Sequence, residues 1–140
     1  MAPINKLLII GCDIMVDISV NVDPPVLKAF MRNEASVSLS FRNDGDSIYW
    51  CECEVRVAPP LTLAHDRDLK NGLTKVGMLR PNGTAEKKIK VYTSSNSFPD
   101  TYEVGVTAFL YDETGSIAQR VEHKFGIECA ESSTQSKSKM

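Results

Sequence analysis

Ile14-Met-Val-Asp-Ile-Ser-Val-Asn-Val22 carries an apolar side chain at every even position. The same two-residue beat returns in Ala35-Ser-Val-Ser-Leu-Ser-Phe41 and again around Val55, Val91, Val104 and Phe125. Successive side chains of a strand point to opposite faces, so this beat describes strands with one buried and one wet face. Several such strands separated by Gly, Asn, Asp and Pro turns predict an all-β sandwich.

Working outward, Asp23-Pro-Pro25 ends the first strand, because proline has no N–H for a ladder and fixes its own φ. Residues 26–30 carry the chain across, and Arg32-Asn-Glu34 turns it into a second strand. There Ala35, Val37, Leu39 and Phe41 face inward. Asn43-Asp-Gly-Asp46 is a turn built from residues that tolerate positive φ. A third strand over residues 48–57 puts Cys51, Cys53, Val55 and Val57 inward and Trp50, Glu52, Glu54 and Arg56 outward. Residues 61–76 read as irregular, with a helical turn at 64–69, and residues 77–84 as a short strand and turn. A strand over 84–92 buries Ile89 and Val91.

Residues 101–112 form the longest segment. Tyr102, Val104, Val106, Ala108 and Leu110 share one face; Glu103, Gly105, Thr107, Phe109 and Tyr111 share the other. Asp112-Glu-Thr-Gly115 is a hairpin connection. It leads to a last strand with Ile117, Val121, Phe125 and Ile127 inward. The domain is expected over residues 14–129. Residues 1–13 read as a lead-in or short added strand, and the Ser- and Lys-rich residues 130–140 as a disordered tail.

A 140-residue chain with 42% apolar and 24% charged residues suits one soluble domain with its own core. A net charge of -2 gives no electrostatic footprint for nucleic acid. No apolar stretch approaches the roughly 18 residues that cross a bilayer, so no membrane insertion is expected. Lys6-Leu-Leu-Ile-Ile-Gly-Cys12 imitates a lipoprotein signal, but its apolar run is shorter than the roughly 7–15 residues of a signal core. That favours a cytoplasmic location.

The turns and strands resemble those of the CARDB domains, immunoglobulin-like sandwiches of prokaryotes. Val37-Ser-Leu-Ser-Phe-Arg-Asn-Asp-Gly45 resembles the family's strand ending in an Asn-x-Gly turn. Leu79-Arg-Pro-Asn-Gly83 resembles its Leu-x-Pro-Gly turn, and Pro99-Asp-Thr-Tyr-Glu-Val-Gly-Val106 its penultimate strand. The resemblance implies an immunoglobulin-like antiparallel β-sandwich of about seven strands. It also implies an extracellular adhesion or spacer role, at odds with the weak export signal. Asp100-Thr101 stands where the family usually has a small glycine, and residues 61–76 are longer than such domains need.

No complete catalytic constellation is present, and no cofactor is expected. Gly-x-Ser-x-Gly and phosphate-cradling glycine loops are missing. Cys51 and Cys53 at core parity read as small hydrophobes rather than nucleophiles or metal ligands, with a Cys12–Cys129 disulfide as a lesser alternative. His65-Asp66-Arg67-Asp68 reads as a solvated loop before a metal site, and Asp44 and Asp46 as turn residues before a calcium loop. His123 reads as a histidine satisfied near the sheet rim. Lys87-Lys-Ile-Lys90 is a solvated strand face, and Asn82-Gly-Thr84 is turn chemistry before a glycosylation acceptor.

The candidate binding residues are Trp50, Phe109 and Tyr111 at outward parity, joined by Tyr49 or Leu63. Large exposed aromatics mark association sites. The expectation is a non-catalytic module that binds another protein or itself as a homodimer, with sugar stacking on Trp50 and Tyr111 as the alternative. Residues 61–76 or the N-terminal segment folding over these rings would remove the site.

Overall fold

The computed structural model describes residues 16–131. The lead-in of residues 1–13, Ile14, Cys12 and residues 132–140 lie outside the described residues. Eight strands follow one another without a helix among the described residues. They are β1 (Val16–Asp23), β2 (Val26–Lys28), β3 (Asn33–Asn43), β4 (Tyr49–Val57), β5 (Asn71–Leu79), β6 (Thr84–Thr93), β7 (Asp100–Tyr111) and β8 (Ile117–Ala130). One sheet has the order β1-β3-β6 and the other β2-β8-β7-β4-β5. Among the described strands only β2 with β8 is parallel. In immunoglobulin lettering the sheets are A-B-E and A′-G-F-C-C′. Asp23-Pro24-Pro25 is where the chain leaves the first sheet for the second.

The core is the set of inward positions that the two-residue beat marks. Val37, Leu39 and Phe41 of β3 are fully buried, as are Cys51 and Cys53 of β4 and Val104, Val106, Ala108 and Leu110 of β7. On β1, an edge strand, Ile18, Val20 and Val22 are only partly buried against it.

Two polar side chains tie the ends of the sandwich. Asn43 is buried, and its amide Nδ2 donates to Ser47 O at 2.7 Å and Leu79 O at 3.2 Å. Its Oδ1 accepts from Gly45 N at 2.9 Å. The backbone joins in, with Asn43 N donating to Gly83 O and Asn82 N to Asn43 O. One asparagine thus satisfies polar groups of two turns that no ladder reaches. At the other end the Tyr102 hydroxyl donates to Phe98 O at 2.6 Å and accepts from Phe98 N at 3.1 Å. A tyrosine near the start of strand F that bonds backward to the backbone is the tyrosine corner of immunoglobulin-like folds.

The structure differs from the sequence reading between residues 61 and 79. Residues 71–79 form the full strand β5, and no helical turn occurs at 64–69. Instead the Thr62 hydroxyl accepts from Leu69 N at 2.8 Å and donates to Arg67 O at 3.0 Å, closing an irregular loop. Side-chain bonds of this kind offer the backbone an alternative to helix. Thr62 also bridges to Tyr92, which pins the loop to β6.

Asn43→Ala leaves several buried backbone groups unpaired, whereas Tyr102→Phe removes one hydroxyl. At about 1 kcal/mol per lost hydrogen bond and more for each orphaned buried group, Tyr102→Phe lowers Tm by about 3–5 °C. Asn43→Ala lowers it at least twice as far. Thermal unfolding followed by circular dichroism measures both; equal shifts would contradict this division.

Candidate functional site

The outer face of the five-stranded sheet is built in rows, because residues directly opposite on antiparallel strands share a face. Trp50 on β4 stands opposite Met78 on β5 and Tyr111 on β7, and Tyr111 stands opposite Ile117 on β8. The result is an apolar row, Met78–Trp50–Tyr111–Ile117, crossing four strands. Met78 is 53% exposed, Trp50 38% and Ile117 50%, with Tyr111 half-buried between them. The Trp50 indole N–H donates to Glu52 Oε2 at 3.3 Å, which fixes the ring along its own strand.

Polarity rises away from this row. The next is Lys75–Glu52–Phe109–Arg120. There the Arg120 guanidinium sits 5.4 Å from the Phe109 ring centroid and caps it by a cation–π contact. Beyond lies Leu73–Glu54–Thr107–Glu122, then Asn71–Arg56–Gly105–Lys124. Arg56 Nη1 donates to Thr107 Oγ1 at 2.9 Å, and a Cβ on Gly105 would lie 2.8 Å from Arg56 Nη2. Glycine at 105 therefore lets the guanidinium lie flat on the sheet.

No family model matches this chain, and no curated protein matches it in sequence. Solved structures do. The sporulation control protein Spo0M of Bacillus subtilis matches at TM-score 0.49 and 10% identity, over 83% of this chain. The chain spans about half, 49%, of that protein's length. A CARDB domain from Pyrococcus furiosus, solved in complex with di-metal ions, matches at TM-score 0.46 and 16% identity, over 82% of this chain and 89% of that one. BslA, described as a bacterial hydrophobin, matches at TM-score 0.49 and 7% identity, over 81% and 94%. Others include AvmM, described as catalysing a macrocyclization, at TM-score 0.49 and 7% identity over 81% and 89%, and pieces of larger enzymes, such as a Bacteroides uniformis β-glucuronidase of which 13% is covered. At these values the matches carry no statement about activity. The fold rests on the strand order given above.

Of the residues singled out in sequence, Trp50, Phe109 and Tyr111 share the outer face. Tyr49 does not: it stands opposite Leu79 and packs against the core from the inner side. Leu63 likewise packs against the core. Residues 61–76 do not cover the rings, because β5 pairs along the edge of β4 and widens the face instead. Met78 and Ile117 were not foreseen, and β-bulges explain both. Cys51 stands opposite Gly77 and Glu52 opposite Lys75, so Val76 is an extra residue. Leu110 stands opposite Gln119 and Tyr111 opposite Ile117, so Ala118 is another. Each extra residue resets the alternation. Ile117, expected inward with Val121, is thereby turned outward. Gly77, at φ 130°, supplies the backbone conformation the first bulge needs.

The remaining polar candidates are occupied by neighbours. Asp68 pairs with Lys70 at 2.8 Å and Asp66 with Arg67 at 3.4 Å, and the His65 ring lies edge-on to Tyr92. A cleft of about 900 Å³ opens there, but Glu34 on its rim pairs with Lys90. Among the described residues no three His, Cys, Asp or Glu side chains come together to hold a metal ion.

Burial pushes the Cys51 thiol up to about 12 and the Cys53 thiol up to about 11. Both stay protonated at neutral pH, the wrong state for attack. Neither reacts with a maleimide in the native state, and both react after unfolding. An unfolded thiol ionises near about 8.5. The stability carried by these neutral thiols is thus fully present below about pH 8.5 and is lost as pH rises toward 11–12. Urea unfolding of wild type between pH 8 and 11 shows a steeper loss than the Cys51→Ala/Cys53→Ala variant; parallel profiles would contradict the assignment.

Proposed function

We propose that this protein is a non-catalytic interaction module that binds a second copy of itself through the Met78–Trp50–Tyr111–Ile117 row. The observation that carries the reading is the row itself: four large side chains in register across four strands, on a face no other described element covers. Trp and Tyr dominate association hot spots because they bury large area at small entropic cost. The charged residues below the row, Lys75, Glu52 and Arg120, supply the polar rim that such interfaces have. A two-fold arrangement lets one row lie against its copy, and a self-complementary patch is what a two-fold contact requires.

Analytical ultracentrifugation tests this. Wild type sediments as a dimer at micromolar concentration, and Trp50→Ser weakens the dimer by roughly thirtyfold, the loss expected at a hot spot. A monomer for both proteins at every concentration overturns the reading.

A second reading rests on one observation, the direct opposition of Trp50 and Tyr111. Two adjacent rings on an open face form a platform on which a sugar can stack. Its mark is quenching or blue-shift of Trp50 fluorescence by an oligosaccharide, lost in Tyr111→Ser. A glycan panel that leaves the emission unchanged removes it.

A further inference from the structure

We propose that Phe30, Met31 and Phe98 seat the protein on the surface of an anionic lipid bilayer, with Lys28 and Arg32 against the headgroup phosphates. This surface lies at the opposite end of the sandwich from the apolar row: Phe98 stands two residues before β7 begins, and Tyr111 is its last residue. At about 3.3 Å per residue, roughly 40 Å separate them.

The cluster is displayed rather than left over. Phe30 and Met31 sit in the β2–β3 turn and Phe98 in the β6–β7 loop, so two separate turns converge on it. The two rings meet edge to face, with centroids 5.5 Å apart and planes at 85°. Yet all three side chains remain open to solvent, at 45%, 43% and 63% for Phe30, Met31 and Phe98. Phe30 has φ 62°, a left-handed conformation unfavourable for a bulky residue. The fold holds it there while its ring faces out. Such a conformation persists only where the surrounding structure holds it.

The state of the backbone is compatible with a lipid surface. A segment entering the interfacial layer must satisfy its own N–H and C=O groups, since hydrocarbon cannot. Lys28 N donates to Asn33 Oδ1 at 2.7 Å, and Asn33 Nδ2 donates to Lys28 O at 3.2 Å and Met31 O at 2.9 Å. Ala29 N donates to Ala130 O and Phe30 N to Ser97 O. The Tyr102 hydroxyl closes both polar groups of Phe98. The apolar side chains therefore project from turns in which the backbone N–H or C=O groups of Lys28, Ala29, Phe30, Met31 and Phe98 already have partners.

Charge agrees. Lys28 and Arg32 flank the two apolar turn residues, both are exposed, and neither makes an ion pair among the described residues. Long cationic side chains of this kind reach headgroup phosphates while neighbouring apolar groups lie deeper. Carboxylates share this end, with Asp100, Glu128 and Glu131 beside Pro99 and Glu34, Asp66 and Asp68 around the cleft that Arg32 lines, so the attraction rests on Lys28 and Arg32 alone. The contact is peripheral, not a span. With three apolar side chains and two cations it is weak, and it depends on anionic lipid and on salt.

Flotation of the full chain with unilamellar vesicles tests it. Wild type floats with equimolar phosphatidylglycerol and phosphatidylcholine, and at least fivefold less with phosphatidylcholine alone or in 0.5 M salt, where screening shortens the range of charge to about 3–5 Å. Phe98→Ser and Lys28→Gln/Arg32→Gln each reduce flotation at least tenfold with unchanged circular dichroism. Phe30→Asn separates function from folding: asparagine tolerates positive φ, so Tm holds or rises while flotation falls. Absence of wild-type flotation on both vesicles, or Phe30→Asn and Phe98→Ser floating like wild type, overturns the proposal. So does Phe98→Ser changing the sedimentation coefficient without any lipid binding, which would make the cluster a protein contact.

Discussion

A strand can offer only alternate side chains to one face, and this sandwich obeys that constraint almost everywhere and resets it twice. Where the alternation runs unbroken, on β3, β4 and β7, it produces the dry core of Val37, Leu39, Phe41, Cys51, Cys53, Val104, Val106 and Leu110. The two resets, at Val76 on β5 and Ala118 on β8, stand on either side of the central pair β4 and β7. Each turns an apolar residue outward that its neighbours' parity would have buried. Without them the outer row would consist of Trp50 and Tyr111 alone. With them it spans the sheet from Met78 to Ile117.

The frame that holds these faces is closed at its ends by polar groups rather than by more apolar surface. Turns cannot satisfy their own backbone by ladder bonds, so something else must. Asn43 does this at the end that carries the apolar row, joining the turn after β3 to the turn between β5 and β6. Tyr102 does it at the end that carries Phe98, and Asn33 does it for the β2–β3 turn. Apolar groups presented from such fixed turns lose little conformational freedom when they meet a partner. Rigid ends and displayed side chains are one arrangement.

Alternation made most of the fold legible in the sequence, since Ala35, Val37, Leu39 and Phe41 admit only one face as core. The same logic placed Trp50, Phe109 and Tyr111 outside. It failed wherever local pairing broke the period. Asn71-Gly-Leu-Thr-Lys-Val-Gly77 carries no clean beat because β5 is an edge strand with a bulge, and so it read as irregular. Tyr49 was grouped with Trp50 as an aromatic neighbour, though adjacent strand residues necessarily face opposite ways. Met78 and Ile117 had one faint signal: a glycine beside each candidate bulge or hairpin, Gly77 and Gly115, both at positive φ in the structure. Residues 61–70 read correctly as irregular, but their course and the absence of a helical turn at 64–69 were not legible, because a single hydroxyl, that of Thr62, decides them.

The bulges bear on the kind of association the molecule can make. An open sheet edge invites another strand, and proteins blunt such edges with bulges, glycine and lysine. On β5 the bulge at Val76, the glycines Gly72 and Gly77 and the outward Lys75 interrupt what would otherwise be a nine-residue edge. On β8 the edge beyond the short β2 pairing begins with the bulge at Ala118 and carries Arg120, Glu122 and Lys124. The features that turn Met78 and Ile117 outward thus also discourage strand addition at the two edges beside them. An open edge can pair with a different edge of the next molecule and propagate, whereas a self-complementary face contact about a two-fold axis closes in a pair. Blunted edges beside an enriched face are what the self-association proposed above requires.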